Sequence, residues 1–228
     1  MPVIEIRSSL PPEKVSPVHI GPDARHRLVQ DLEAAGHNRA VLVSDSNVAP
    51  LHGEQVVAAA VAAGVQVAVL TFPACERNKT RESKAELEDG LAELQVGRDG
   101  AIIALGGGVT GDLAGFTAAT WCRGIPVYQV PTSLLAMVDA AVGGKTGLDL
   151  PGSKNRVGAF HMPAGVYVDP AYLETLPPDR LRSGLAEVVK YGVIADPSIL
   201  SMVEDRIEAI LKPASPFPVD LLESCIRI

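Results

Sequence analysis

The sequence predicts an α/β protein built on a largely parallel sheet. Three observations carry this. Short β-branched runs alternate with longer segments of helical spacing, and glycines close two of those helical segments. The composition is that of a globular chain, with 228 residues, 47% hydrophobic and 21% charged, and a mean hydropathy of +0.20. A disordered tail is excluded on the same grounds, and no Gly-X-Y or heptad bias supports a fibre.

In chain order, strands are expected in VIEI near the start and in PVHI, followed by a helix over about 23–35 and the strand AVLVSD at 40–45. A helix over 55–63, the strand VQVAVLTF, a helix over about 80–95 and the strand AIIAL at 101–105 continue the alternation. Gly36 and Gly64 sit where a helix C-terminus favours positive φ. A further helix follows the glycine run after AIIAL and ends near Trp121, and a strand leads to Pro131. From Pro177 the texture changes to three helical segments with no strand between them, which divides the chain into an α/β domain at 1–176 and the start of an all-helical domain at 177–228. The last segment runs apolar to Ile228 without a Gly or Pro stop, so the chain is expected to be cut inside that helical domain.

Composition narrows the function. Lys and Arg number 20 against 27 Asp and Glu, a formal charge of −7, so no global field attracts nucleic acid or an anionic membrane. The apolar run VVAAAVAA falls far short of a bilayer span, and MPVIEIRSS lacks the basic and apolar regions of a secretory signal. Cys75, Cys122 and Cys225 form no CxxC pair, which makes reduced cytoplasm the default. The five histidines, His19, His26, His37, His52 and His161, make no HxxxH arrangement, and each reads singly as a surface or packing residue.

Three segments carry chemistry. In AIIALGGGVTGDLAGF a buried strand runs into Gly106, Gly107, Gly108 and Gly111 ahead of a helix. Glycines there let backbone N–H groups approach a pyrophosphate at a helix N-terminus; tight strand-to-helix packing is the ordinary alternative. The motif falls late in the chain, and no acid at the end of a second strand lies about 20 residues on. Asp112 reads as a first-turn residue favoured by the helix dipole. From Pro126 to Phe160, Thr132 and Ser133 project at the carboxyl edge of the sheet, Asp139 follows LLAMV, and Lys145, Lys154, Asn155 and Arg156 sit on glycine-flanked loops. Lysines gathered into glycine loops of an acidic chain point to an anion such as phosphate or carboxylate. In GLAEVVKYG, Glu187 and Lys190 share a helix face, either as a surface ion pair or, given the apolar neighbours of a substantially buried helix, as ligands.

Together, GGGVTGDLAGFTAATWCRGI, VPTSLLAMVDAAVGGKTGLDLPGSKNRVGAF, YLETLP and SGLAEVVKYG resemble the 3-dehydroquinate synthase family in order, spacing and residue type over roughly 70–195. The resemblance implies a Rossmann-like NAD-binding N-terminal domain, a helical C-terminal domain, a divalent metal (zinc or cobalt) and a homodimer in the cytoplasm. It also implies the shikimate-pathway reaction, in which 3-deoxy-arabino-heptulosonate 7-phosphate gives 3-dehydroquinate and phosphate. NAD would oxidise one hydroxyl transiently, phosphate would leave, the ketone would be reduced again, and an intramolecular aldol step would close the ring.

By the same resemblance, Gly108, Val109, Thr110, Gly111 and Asp112 would hold the pyrophosphate and nicotinamide side of NAD. Thr132, Ser133, Tyr172, Leu173, Glu174 and Thr175 would line its pocket. The loop Ala74, Cys75, Glu76, Arg77, Asn78 and Lys79 would grip the adenine ribose, with Cys75 standing where the family has glycine; Asp149 replaces a usual asparagine and Ser133 a threonine. Asp139, Lys145, Lys154, Asn155 and Lys190 would meet the hydroxyls and carboxylate of the substrate, Lys145 and Lys154 touching NAD as well, and Arg123 would meet its phosphate. Glu187 would ligate the metal, with two histidines that lie, in the family, beyond Ile228. Another sugar-phosphate cyclase, an iron-type alcohol dehydrogenase and a non-catalytic NAD-binding fragment are the alternatives.

Overall fold

The computed structural model describes residues 15–212 and 215–228, so the strand expected in VIEI lies outside the described residues. Six strands, β1 (Val18–Ile20), β2 (Arg39–Asp45), β3 (Gln66–Phe72), β4 (Ala101–Gly106), β5 (Val127–Pro131) and β8 (Gly165–Val168), form one sheet in the order β1-β8-β5-β4-β2-β3. Every pairing in it is parallel. The central strands read as unbroken apolar runs because both of their faces are buried. Ala40, Leu42, Ile103 and Leu105 point into one core with helices α1 (Ala24–Ala34) and α2 (Glu54–Ala62). Val41, Val43, Ile102 and Ala104 point into the other with α3 (Arg81–Glu93) and α4 (Gly108–Thr120).

Local chemistry sets the helix ends. Thr80 caps α3, its hydroxyl accepting from Ser83 N at 3.3 Å. Gly36 and Gly64, past α1 and α2, take φ of 73° and 83°, as their positions in the sequence predict. A single π-helical turn, Ala49–Gly53, precedes α2 and brings His52 back over the sheet edge.

The segment around Lys145 and Lys154 corrects the sequence reading. It is an antiparallel hairpin, β6 (Lys145–Leu150) and β7 (Ser153–Phe160), and not a pair of loops. Its glycines mislead because they serve contact between strands. Gly147 and Gly158 face each other in register, and a Cβ on Gly158 would stand 2.0 Å from the Thr146 carbonyl oxygen. The hairpin covers α4 on the side away from the sheet, where a Cβ on Gly115 would meet Thr146 Cγ2 at 2.5 Å. Thus α4 is largely apolar around its circumference, because sheet and hairpin cover it on opposite sides, and its one charged side chain, Asp112, is paired with Lys79.

Beyond Pro177 the described residues form helices only: α5 (Pro178–Ile194), α6 (Ser198–Glu204), α7 (Ile207–Leu211) and α8 (Val219–Ile226). The middle segment is two helices, because the backbone breaks at Arg206, where φ is −125°. Val188, Ile199, Leu221 and Leu222 join the core that α1 and α2 share with the sheet. Burial of α5 is one-sided, contrary to the expectation of a substantially buried helix: Val193 is 71% and Ile194 65% exposed. No helix among the described residues is long and apolar enough to cross a membrane.

Candidate functional site

The chain leaves β2 outward to β3 and returns on its other side as β4. The connections therefore diverge between β2 and β4, and the carboxyl edge there opens a crevice of the kind in which parallel sheets bind ligands. Gly106 and Gly107 end β4 at this edge and α4 begins at once. A Cβ on Gly106 would stand 2.3 Å from Thr110 Oγ1, so glycine allows the strand to turn directly into the helix. The first turn of α4 presents N–H groups without helical carbonyl partners to the crevice. Across the divergence, Thr110 Oγ1 donates to Asp45 Oδ2 at 3.3 Å, and Asp45 Oδ1 accepts from the N–H groups of Asn47 (2.9 Å) and Val48 (3.1 Å).

One buried cation ties three distant segments together. Lys79 is 4% exposed; its Nζ pairs with the Asp112 carboxylate and donates to Asn155 Oδ1 at 2.7 Å. The Asp149 N–H donates to the Lys79 carbonyl at 2.7 Å, and Asp149 Oδ1 accepts from the Asn155 N–H at 2.8 Å. Burial pushes the Asp112 carboxyl up from its ordinary value, against the downward pull of Lys79. Around this centre Lys145 Nζ donates to Asp139 Oδ1 at 3.1 Å, and Lys154 Nζ donates to Glu76 Oε1 at 2.9 Å, a bond that raises the Lys154 pKa. A cavity of about 430 Å³ lies between α4 and the hairpin, lined by Asp112, Asp139, Lys145, Asn155, Arg156 and Phe160 among others. A second, of about 750 Å³, borders Glu76, Arg77, Asp149 and Lys154.

The loop that carries Glu76 and Lys79 is strained. Cys75 takes φ 149° and ψ 151°, a region that belongs essentially to glycine. Hydrogen bonding to Arg77 holds the exposed Cys75 thiol below its ordinary pKa.

The model of the 3-dehydroquinate synthase N-terminal family matches residues 69–183, half of the chain. The chain belongs to the 3-dehydroquinate synthase family. It is 51% identical over 173 residues to the 3-dehydroquinate synthase of Symbiobacterium thermophilum, covering 76% of this chain and 48% of that one. It is 43% identical over 213 residues to that of Prochlorococcus marinus, covering 92% and 57%. The chain thus spans about half the length of the curated relatives it matches. Among solved structures, 2-epi-5-epi-valiolone synthase from Streptomyces hygroscopicus, with NAD+ and Zn2+ bound, superposes with TM-score 0.84 at 29% identity over 97% of this chain and 62% of that one. A 2-deoxy-scyllo-inosose synthase complexed with carbaglucose-6-phosphate, NAD+ and Co2+ gives 0.80 at 27% over 92% and 56%. A butanol dehydrogenase of Thermotoga maritima, 16% identical with TM-score 0.73, shares the fold.

Most of the residues expected of a 3-dehydroquinate synthase converge on this edge. Gly108, Val109, Thr110 and Gly111 form the start of α4 and Thr132 and Ser133 follow β5; the turn Pro170–Thr175, which holds Tyr172, Leu173, Glu174 and Thr175, follows β8. Ser133 Oγ accepts from the Ala136 N–H at 3.4 Å, and Asp139 lies on the π-helical turn Ala136–Ala140 that this cap begins. Asp112 corrects a detail of the sequence reading: it lies at the fifth residue of α4, past the first turn, and its partner is Lys79 and not the helix end. Glu187 and Lys190 pair on α5, and Tyr191 beside them donates to the Val138 carbonyl at 3.1 Å, which sets this face of α5 against the Asp139 turn. Arg123 stays apart, exposed past the far end of α4 and outside the cavity lining.

Sequence reasoning missed Asp45 and His52 at this edge, and Thr146 and Phe160 in the lining of the cavity under the hairpin. The signal for Asp45 was present, since AVLVSD ends a strand on an acid. That acid lies upstream of the glycines, because the strand across the divergence from β4 is the earlier β2.

Proposed function

We propose that this chain carries the cofactor crevice and part of the substrate site of a 3-dehydroquinate synthase, which converts 3-deoxy-arabino-heptulosonate 7-phosphate to 3-dehydroquinate and phosphate. The observation that carries this is the Lys79–Asp112–Asn155 network, which joins three sequence motifs into one site at the opening of α4. The residues fit NAD, since the strand turn accepts no Cβ at Gly106 and the helix start offers free N–H donors beside a buried cation. When bound, NAD would supply an acceptor for the hydride on the carbon that bears one substrate hydroxyl, the hydroxyl proton leaving separately, and would give the hydride back later.

The chain's own residues hold and orient. The N–H groups of Gly108, Val109 and Thr110 bind the pyrophosphate, Gly111 and Asp112 continue toward the nicotinamide side, Glu76 accepts from ribose hydroxyls, and Thr132, Ser133 and the turn Pro170–Thr175 line the dinucleotide pocket. Lys145, Asn155 and Lys154 face the substrate carboxylate and hydroxyls, with Asp139 holding Lys145 in place; Lys190 joins them from α5. Arg123 is assigned to the phosphate by resemblance, from outside the cavity. For the metal, no group of three His, Cys, Asp or Glu stands together among the described residues. Glu187 would be one ligand of a set that the described residues do not complete.

The identity of 43–51% to 3-dehydroquinate synthases, against 27–29% to cyclases of other sugar phosphates, favours this substrate. A homodimer and a cytoplasmic location accompany the reading. Calorimetric titration with NAD tests it: saturable binding is expected, and its loss in Lys79→Met. Absence of binding by the parent chain would overturn the reading. Phosphate release from the heptulosonate 7-phosphate, compared with release from other sugar phosphates, tests the substrate in a chain extended to the length of the relatives.

A further inference from the structure

A contact outside every motif closes one side of the crevice. His52 Nε2 stands 2.8 Å from Thr175 Oγ1, joining residues 123 apart in sequence. His52 belongs to the turn after β2 and Thr175 to the turn after β8, strands that β4 and β5 separate in the sheet. The contact therefore spans the carboxyl edge over the two strands whose ends carry Gly107 and Thr132.

Its chemistry is determined by the neighbours. Thr175 Oγ1 donates to the Tyr172 carbonyl at 3.1 Å, so its proton is engaged and the imidazole must donate from Nε2. Burial holds the His52 pKa below its ordinary value against the opposing pull of Asp169, which keeps the ring neutral and Nδ1 bare at neutral pH. The ring meets Tyr172 edge-on, with centroids 4.8 Å apart and planes at 74°. Tyr172 is 6% exposed, and its phenolic oxygen is buried without a partner. Tyr172 therefore gains no hydrogen bond of its own here, and the His52 ring and the Thr175 contact are what fix this corner of the turn.

We propose that His52 is a positioning residue of the cofactor crevice, fixing the turn Pro170–Thr175 through its hydrogen bond to Thr175 so that Tyr172 and Thr175 are held in place for the dinucleotide. The inference rests on the NAD reading above and adds to it a residue that belongs to none of the family motifs.

NAD affinity of the 228-residue chain, measured by calorimetry for the parent and for His52→Leu, His52→Gln, Thr175→Val and the His52→Leu/Thr175→Val double variant, tests it. Loss of one neutral hydrogen bond predicts an affinity lower by about threefold to tenfold in His52→Leu. Thr175→Val should lose a similar factor and the double variant little more, whereas His52→Gln, which keeps a side-chain N–H, should recover most of the loss. Thermal melts of each variant establish that it is folded. Unchanged affinity in folded His52→Leu, or losses that multiply in the double variant, would overturn the inference while leaving the NAD reading intact. Failure of the parent chain to bind NAD would overturn both.

Discussion

Replacing Cys75 with glycine should stabilise the chain. At φ 149° and ψ 151° the Cys75 backbone occupies a region in which a Cβ costs about 1–3 kcal/mol. Glycine removes that cost and gives back about 0.4–1 kcal/mol through the greater freedom of the unfolded chain. No packing is forfeited, because the side chain is exposed, and the Asn78 N–H bond to the Cys75 carbonyl survives in glycine. The net gain is about 1 kcal/mol, which for a chain of this size raises Tm by about 2–4 °C. Thermal melting of the parent, Cys75→Gly and Cys75→Ala separates strain from the loss of sulfur, since alanine keeps the Cβ. A Cys75→Gly protein that melts no higher than the parent, or an alanine variant that gains as much as glycine, would refute the reasoning.

Lys79→Met should destabilise the chain by about 3–5 kcal/mol in denaturant titrations, because it leaves the Asp112 carboxylate buried without its partner. Burial already raises the Asp112 pKa, and loss of Lys79 raises it further; the native state then binds the proton more tightly than the unfolded chain. The deficit should accordingly shrink below the unfolded carboxyl pKa and be complete once pH rises above the folded one, and a pH-independent deficit would contradict this assignment. Iodoacetamide at pH 8 should label Cys75 first and Cys225 last, as followed by peptide mass spectrometry, since the Cys75 pKa is lowered whereas burial pushes Cys225 up to about 11. Gly158→Ala should cost about 1–3 kcal/mol in the same titrations, because its Cβ meets backbone across the hairpin.

The sheet was legible because strands buried on both faces are β-branched runs, and because Gly36 and Gly64 mark the helix ends. The hairpin was not, since Gly147 and Gly158 carry no φ signal and their role appears only once the strands are paired. The site motifs could be found singly, but their assembly could not: Lys79 lies 33 residues from Asp112 and 76 from Asn155. His52 gave no signal at all, because its partner lies across two strands of a sheet whose order local sequence does not encode. Cys75 was the reverse case, a single residue whose conflict with the backbone could be anticipated from the glycine expected there.

The hairpin is an excursion between β5 and β8, and it leaves the order and register of the six-stranded sheet untouched. Its residues line the cavity of about 430 Å³, whereas the crevice at the start of α4 is set by strands on the opposite side of that helix. Substitutions at Arg156 and Phe160, which line the cavity, can therefore change what it admits, whereas Asp149, Lys154 and Asn155 tie the same hairpin to the loop of Glu76 and Lys79. The hairpin is thus free to vary on one face and anchored on the other, and a change in what the cavity holds need not disturb the sheet that supports it.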